Sequence, residues 1–156
     1  MKFIRTISRA ALIAMAVSLL AIAAVAQEKK ITRKDVPAAV ISAFKTAYPN
    51  ATTRGYAREK ENGKVFYEIE SREGTTTRDV LYNPDGTVAE IEESIAATGL
   101  PAEVQQAMKE KFPKAAITKA ERTTAGDKVS YEIVARQGKK RVTIEFDSSG
   151  KVLTKK

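Results

Sequence analysis

The sequence contains no cysteine and no histidine. Without cysteine no disulfide can restrict the unfolded chain, so stability in an oxidising compartment has to come from the core alone. With both residue types missing, the commonest general base, the thiol nucleophile and the usual transition-metal ligands are gone, which removes zinc, haem and most hydrolytic mechanisms. Carboxylate pairs and Ser-Lys arrangements remain, but nothing in the sequence places such groups in a shielded pocket that would tune their pKa values. The chain is therefore expected to be no enzyme, with no catalytic residue, no bound metal and no cofactor. A glycine-rich phosphate cradle is also missing, and the lysines are scattered rather than interleaved with aromatics, so nucleic acid is not an expected partner.

Long apolar runs are scarce. Ala10 to Ala24 is apolar, but about fifteen residues fall short of the roughly 20 that a spanning helix needs. This stretch follows Lys2, Arg5 and Arg9 and precedes the small-x-small site Ala24-Val25-Ala26, which together read as a signal peptide removed before Gln27. An uncleaved anchor is the competing reading. The formal charge of +8 comes from 27 Lys+Arg and 19 Asp+Glu; residues 1–26 hold three of the former and none of the latter, so removal leaves +5. The expected location is periplasmic or secreted, with no membrane contact after cleavage.

What the sequence does contain is a repeat. A shift of 64 residues superimposes Val36-Pro37 on Leu100-Pro101, Val40 on Val104, Phe44 on Met108 and Tyr48-Pro49 on Phe112-Pro113. The same shift carries Tyr67-Glu68-Ile69 onto Tyr131-Glu132-Ile133, Gly74 onto Gly138, Val80 onto Ile144, Tyr82 onto Phe146, Gly86 onto Gly150 and Val88 onto Val152, without a gap. Each copy opens with a helix that has Pro37 or Pro101 in its first turn, apolar residues at helical spacing, and Pro49 or Pro113 as its stop. Alternating segments follow, punctuated by Asn62-Gly63, Gly74 and Asn83-Pro84-Asp85-Gly86, then by Gly126, Gly138 and Ser148-Ser149-Gly150. They predict four strands per copy, joined as a meander.

The expected organisation is residues 1–26 as signal peptide, 27–35 as a leader, 36–95 as the first repeat and 100–156 as the second, with Thr98-Gly99 at the junction. A unit of this size alone would bury only about 60% of its unfolded surface, which favours one fused α+β domain, expected to be a monomer. Val65, Tyr67, Ile69, Val80 and Tyr82, matched by Val129, Tyr131, Ile133, Val142, Ile144 and Phe146, are expected under the helices. Tyr67, Tyr82 and Tyr131 are read as core.

The Pro-x-x-Val run ending in Tyr-Pro or Phe-Pro, then Tyr-Glu-Ile, then Asn-Pro-Asp-Gly-Thr-Val or Asp-x-x-Gly-x-Val, resembles the PepSY-like, beta-lactamase-inhibitor-like family. That resemblance implies tandem helix-plus-four-strand units in one curved sheet backed by helices, as in beta-lactamase inhibitory protein. It further implies an envelope module that restrains a peptidase or binds another envelope protein. The family's large first-strand aromatic is matched by Tyr56 in copy one, against Ala120 in copy two.

Alternation leaves Phe66, Glu68 and Glu70, with Thr77, Asp79 and Leu81, on the opposite sheet face, and in copy two Ser130, Glu132 and Val134 with Arg141, Thr143 and Glu145. Five carboxylates against one arginine reverse the sign of the whole chain, and such a surface attracts basic groups. The bland alternative is a solvated open face. The expected partner-binding residues are Tyr56, Phe66, Glu68, Glu70, Asp79, Leu81, Glu132 and Glu145, used for an envelope protein or, in a second reading, for calcium or a polyamine. A structural role without a discrete site is the third. Asn83-Pro84-Asp85-Gly86-Thr87 has the oxygen-rich look of a calcium loop but lacks its later ligands, so a hairpin turn is expected.

Overall fold

The structure, a computed structural model, describes residues 27–155; the signal-peptide reading of residues 1–26 lies outside them. Among the described residues nine antiparallel strands form one open sheet in simple chain order. They are β1 (Gln27–Lys30), β2 (Thr52–Glu61), β3 (Lys64–Glu73), β4 (Thr76–Tyr82), β5 (Val88–Ser94), β6 (Ala116–Ala125), β7 (Lys128–Gln137), β8 (Lys140–Asp147) and β9 (Val152–Lys155). Helix α1 (Ala38–Ala47) lies between β1 and β2 in the chain, and α2 (Ala102–Lys111) between β5 and β6.

Two units of four strands were expected; the ninth is β1, within the segment read as a leader. It belongs to the repeat. Gln27↔Lys60, Glu28↔Glu59, Lys29↔Arg58 and Lys30↔Ala57 are the register partners of β1 on β2. Shifted by 64, they are the pairs Ile91↔Thr124 to Ser94↔Glu121 that join β5 to β6. The next amides repeat as well: Ile31 N donates to Tyr56 O at 3.0 Å and Ile95 N to Ala120 O at 2.9 Å. Strand β5 therefore closes the first unit on β4 and opens the second on β6.

Each helix is framed by prolines, as expected, although Pro37 and Pro101 precede the first turn as N-caps. Their carbonyls accept from Ile41 N and Gln105 N. Tyr48 N and Phe112 N close the last turns on Phe44 O and Met108 O, just before Pro49 and Pro113 forbid continuation. The inward stripe, Val40 and Phe44 in α1 and Val104, Ala107 and Met108 in α2, packs on the sheet as one core cluster per unit. Ile69, Val80 and Tyr82 floor the first core; Ile133, Ile144 and Phe146 floor the second.

Val65 and its counterpart Val129 depart from expectation: neither belongs to a core, and Val129 is 36% exposed. A ten-residue helix is about 15 Å long and a ten-residue strand about 33 Å, so the helix covers only part of the strand's length.

Across the junction the two units share an ion cluster. Glu93 of β5 accepts from Arg78 Nε (2.8 Å) and Nη2 (2.6 Å) through one oxygen and from Arg122 Nη2 (2.6 Å) through the other. The buried Arg78 guanidinium also lies 4.2 Å from the centre of the Tyr48 ring. Burial opposes the charge on Glu93, but the arginine hydrogen bonds win and hold its pKa below the ordinary value. In the second unit the counterparts of Arg78 and Tyr48 are Val142 and Phe112, so this polar device exists once.

Two glycines fix how the helices sit. Gly86 and Gly150 have φ of +88 and +81, and a Cβ there would meet Ala39 O at 2.8 Å and Glu103 O at 2.6 Å, in the first turns of α1 and α2. Gly150→Ala is expected to lower stability by about 3 kcal/mol, against about 1 kcal/mol for Gly138→Ala, which has φ +62 but open space around it. Urea unfolding of the pair checks this, and equal losses would sink the role given to the helix contact. Glu93→Gln, which leaves the buried Arg78 only the more distant Glu73 carboxylate, 3.7 Å from Nη1, is expected to cost about 3 kcal/mol. A change below measurement error would show that the cluster does not hold the junction.

Candidate functional site

The open face is built by strand alternation and register. In β3 and β4, Glu68 faces Leu81 and Glu70 faces Asp79 across the ladder. Strand β2 adds Ala57 beside Glu68 and Glu59 beside Phe66. Strand β5 adds Glu90 beside Leu81 and Glu92 beside Asp79. Leu81 is thus flanked by Glu68 and Glu90, and Asp79 by Glu70 and Glu92. Glu59, Glu68, Asp79, Leu81, Glu90 and Glu92 line a hollow of about 110 Å³. In the second unit Glu132 lies between Glu121 and Glu145.

The face is hollowed rather than flat. Ala57 (0% exposed) and Val134 (4%) point away from the helices yet are shut off from solvent. Glu90 and Glu145 line one depression although β5 and β8 are three strands apart, about 14 Å on a flat sheet. Carboxylates crowded into such a hollow ionise reluctantly. Burial first, then Asp79 and Glu59, raise the pKa of Glu68 to about 8. Burial first, then Glu90 and Glu121, raise Glu92 to about 7. Asp79 and Glu90 are raised as well, again chiefly by burial, with Glu70 adding to the first and Glu59 to the second.

Of the residues singled out in the sequence, Phe66, Glu68, Glu70, Asp79 and Leu81 form one patch, and Glu132 and Glu145 a second one in the other unit. Tyr56 is a correction. Its register partner is Ile69, and it packs on the core of the first unit, on the helix side. The Tyr56/Ala120 difference is therefore a difference in core filling. Sequence reasoning missed Glu59, Glu90, Glu92 and Glu121 because faces were assigned only to the two middle strands of each copy. The alternation Glu90-Ile91-Glu92 was the available signal, since Ile91 packs on the core.

No group of three or more acidic side chains among the described residues is arranged to hold a metal ion. The Asn83–Thr87 segment closes on itself as a hairpin turn: Asp85 Oδ1 accepts from Thr87 N at 2.9 Å and Thr87 Oγ1 at 2.6 Å. Gly86 N donates to Asn83 O. What the hollow can do is hold protons, or a cationic group that relieves the same repulsion.

The raised carboxyls set a pH dependence. The folded chain keeps protons that the unfolded chain releases, so their contribution to stability is full below the unfolded carboxylate range and is lost as pH rises through about 7 and about 8. Glu93, held low, acts only at the acid end. Stability from urea unfolding is expected to fall between about pH 5 and about pH 9, and Glu68→Gln to flatten the fall and to stabilise the protein at the alkaline end. A stability that rises over this range would contradict the crowding described.

Among solved structures the fold recurs. A candidate periplasmic protein from Bacteroides eggerthii superposes with a TM-score of 0.64 at 19% identity, over 78% of this chain and 88% of its own. A BLIP-like protein from Bacteroides fragilis gives 0.59 at 21% identity, over 78% and 85%. At these identities the likeness establishes the fold. No curated protein sequence matches the chain. The model of the beta-lactamase-inhibitor-like, PepSY-like family matches twice, at residues 23–88 and 66–154. The chain belongs to the beta-lactamase-inhibitor-like, PepSY-like family.

Proposed function

We propose that the protein is a non-enzymatic binding module of the cell envelope, periplasmic or secreted, that receives a basic segment of a partner protein on the hollowed sheet face. The observation that carries this reading is the hollow lined by Glu59, Glu68, Asp79, Glu90 and Glu92 around Leu81, in which burial first and neighbouring carboxylates second raise the pKa values of Glu68, Asp79, Glu90 and Glu92. A lysine or arginine side chain entering it would meet charge that the protein itself leaves uncompensated, while Leu81 and Phe66 offer apolar contact to the side chain's stem. Inhibition of an envelope enzyme is one use of such a face, and the BLIP-like name of the B. fragilis structure is consistent with it. The calcium reading has weaker support, because the acidic side chains do not converge on one point.

Calorimetry with two short peptides of equal length, one lysine- and arginine-rich and one acidic, tests the proposal. At a pH where the hollow is ionised, only the basic peptide is expected to bind. Glu68→Gln with Glu92→Gln is expected to weaken it about tenfold, and Phe66→Ala with Leu81→Ala by a smaller factor. Equal binding of both peptides, or indifference to the glutamine pair, defeats the assignment of this face. A calcium-dependent rise in melting temperature would favour the cation reading instead.

A further inference from the structure

The 64-residue shift also compares surfaces, and it shows where the basic excess resides. At the end of the sheet where α2 stops and β6 starts, Lys109, Lys111 and Lys114 are exposed. The β7–β8 hairpin reaches the same end, because Ala116 at the start of β6 faces Arg136. That hairpin is exposed from Arg136 to Arg141 and carries Arg136, Lys139, Lys140 and Arg141. None of these seven cations is ion-paired within the described residues. These second-unit segments hold one acid, Glu110, against the seven cations, whereas the counterpart segments of the first unit, 45–50 and 72–77, hold only Lys45 and Arg72, alongside Glu73. The macrodipole of α2 favours Lys109 and Lys111, but it does not account for the hairpin four. Arg136 and Arg141 even stand opposite each other, an arrangement that costs stability in isolation.

An apolar groove adjoins these cations. It has a volume of about 230 Å³ and is lined by Met108, Phe112, Pro113 and Ile117 among others, with Lys109 on its wall. Lys155 of β9 holds its ammonium 4.8 Å from the Phe112 ring centre.

We propose that this end of the second unit docks on an anionic phospholipid surface, its lysines and arginines on the headgroup phosphates and the rim of the groove at Phe112 and Ile117 against the acyl boundary. Charge complementarity selects the occupant: a cluster of this size lies in the range that binds anionic lipid, and the groove gives the contact an apolar component that a soluble polyanion would not use. The expectation of no membrane contact rested on the shortness of the apolar run. Among the described residues no helix is long and apolar enough to cross a membrane, but lying on one needs no such helix. Seated this way, the end-on contact keeps the acidic hollow from being pressed against lipid of its own charge sign.

Co-sedimentation with vesicles tests the proposal, using phosphatidylcholine alone and phosphatidylcholine with about a third phosphatidylglycerol. Binding is expected only to the anionic vesicles, is expected to vanish at about 0.5 M salt, and should persist in millimolar inorganic phosphate. The triple change Lys139→Glu, Lys140→Glu, Arg141→Glu should weaken it at least about tenfold. Lys34→Glu, Lys45→Glu, Lys60→Glu makes the same change in net charge at exposed positions of the first unit and should cost less than about threefold. Circular dichroism confirms that both variants fold. Equal losses in the two triples would reduce the effect to net charge and overturn the site. So would equal binding to neutral vesicles, or binding to a soluble polyanion such as heparin without binding to vesicles.

Discussion

One strand belongs to both halves of the molecule, and the rest of the architecture depends on it. Ile91, Glu92 and Glu93 are hydrogen-bond ladder partners of β4 on one side and β6 on the other. Alternation then sends Ile91 to the first core, Glu92 to the acidic hollow and Glu93 to the arginine clamp. A slip of one residue in β5 would exchange these destinations and turn a buried isoleucine outward in the middle of the sheet. The strand therefore holds two cores in one register without a disulfide.

Most of the fold could be read from the residues because the repeat is gapless and its signals are of two independent kinds. The prolines and glycines punctuate, and the apolar alternation assigns faces. What escaped was β1, the opening strand of the first period. It is short, polar and carries one identity under the shift, Glu28 on Glu92, with Ile31 on Ile95 just after it, where the central strands carry runs. The open face was legible at Phe66, Glu68, Glu70, Asp79 and Leu81, whose alternation with core residues is unbroken. It was not legible at Tyr56, since an aromatic in a polar strand gives no indication of side until its register with Ile69 is known. The raised pKa values were beyond any linear reading, because they arise from curvature that brings carboxylates of different strands into one hollow.

The duplication also separates what packing requires from what the surface is free to vary. Beneath the helices, Val40 and Val104, Ile69 and Ile133, Val80 and Ile144 are near-equivalent pairs. Outside the cores the halves diverge in sign: the first unit and the junction carry the acidic hollow, and the end of the second unit carries the unpaired cations. Both are surface charge patterns laid over one scaffold, so either can change without disturbing the other at the distances where salt screens exposed charge. The arginine clamp at Glu93 is the exception, a polar contact inside the packed layer that couples the two halves.

The coincidence of register between β1–β2 and β5–β6 makes the sheet behave as a one-dimensional lattice with a period of 64 residues. In such a lattice each period meets only its neighbours. An additional period spliced in between Ile91 and Glu92 would supply its own helix, its own glycine seat beneath that helix and a complete copy of the shared strand. The residues of β5 would exchange one set of ladder partners for the equivalent positions of the inserted period, and the other pairings would stand. The molecule is in this sense the two-period member of an extensible series, with a length set by copy number and not by closure of its core.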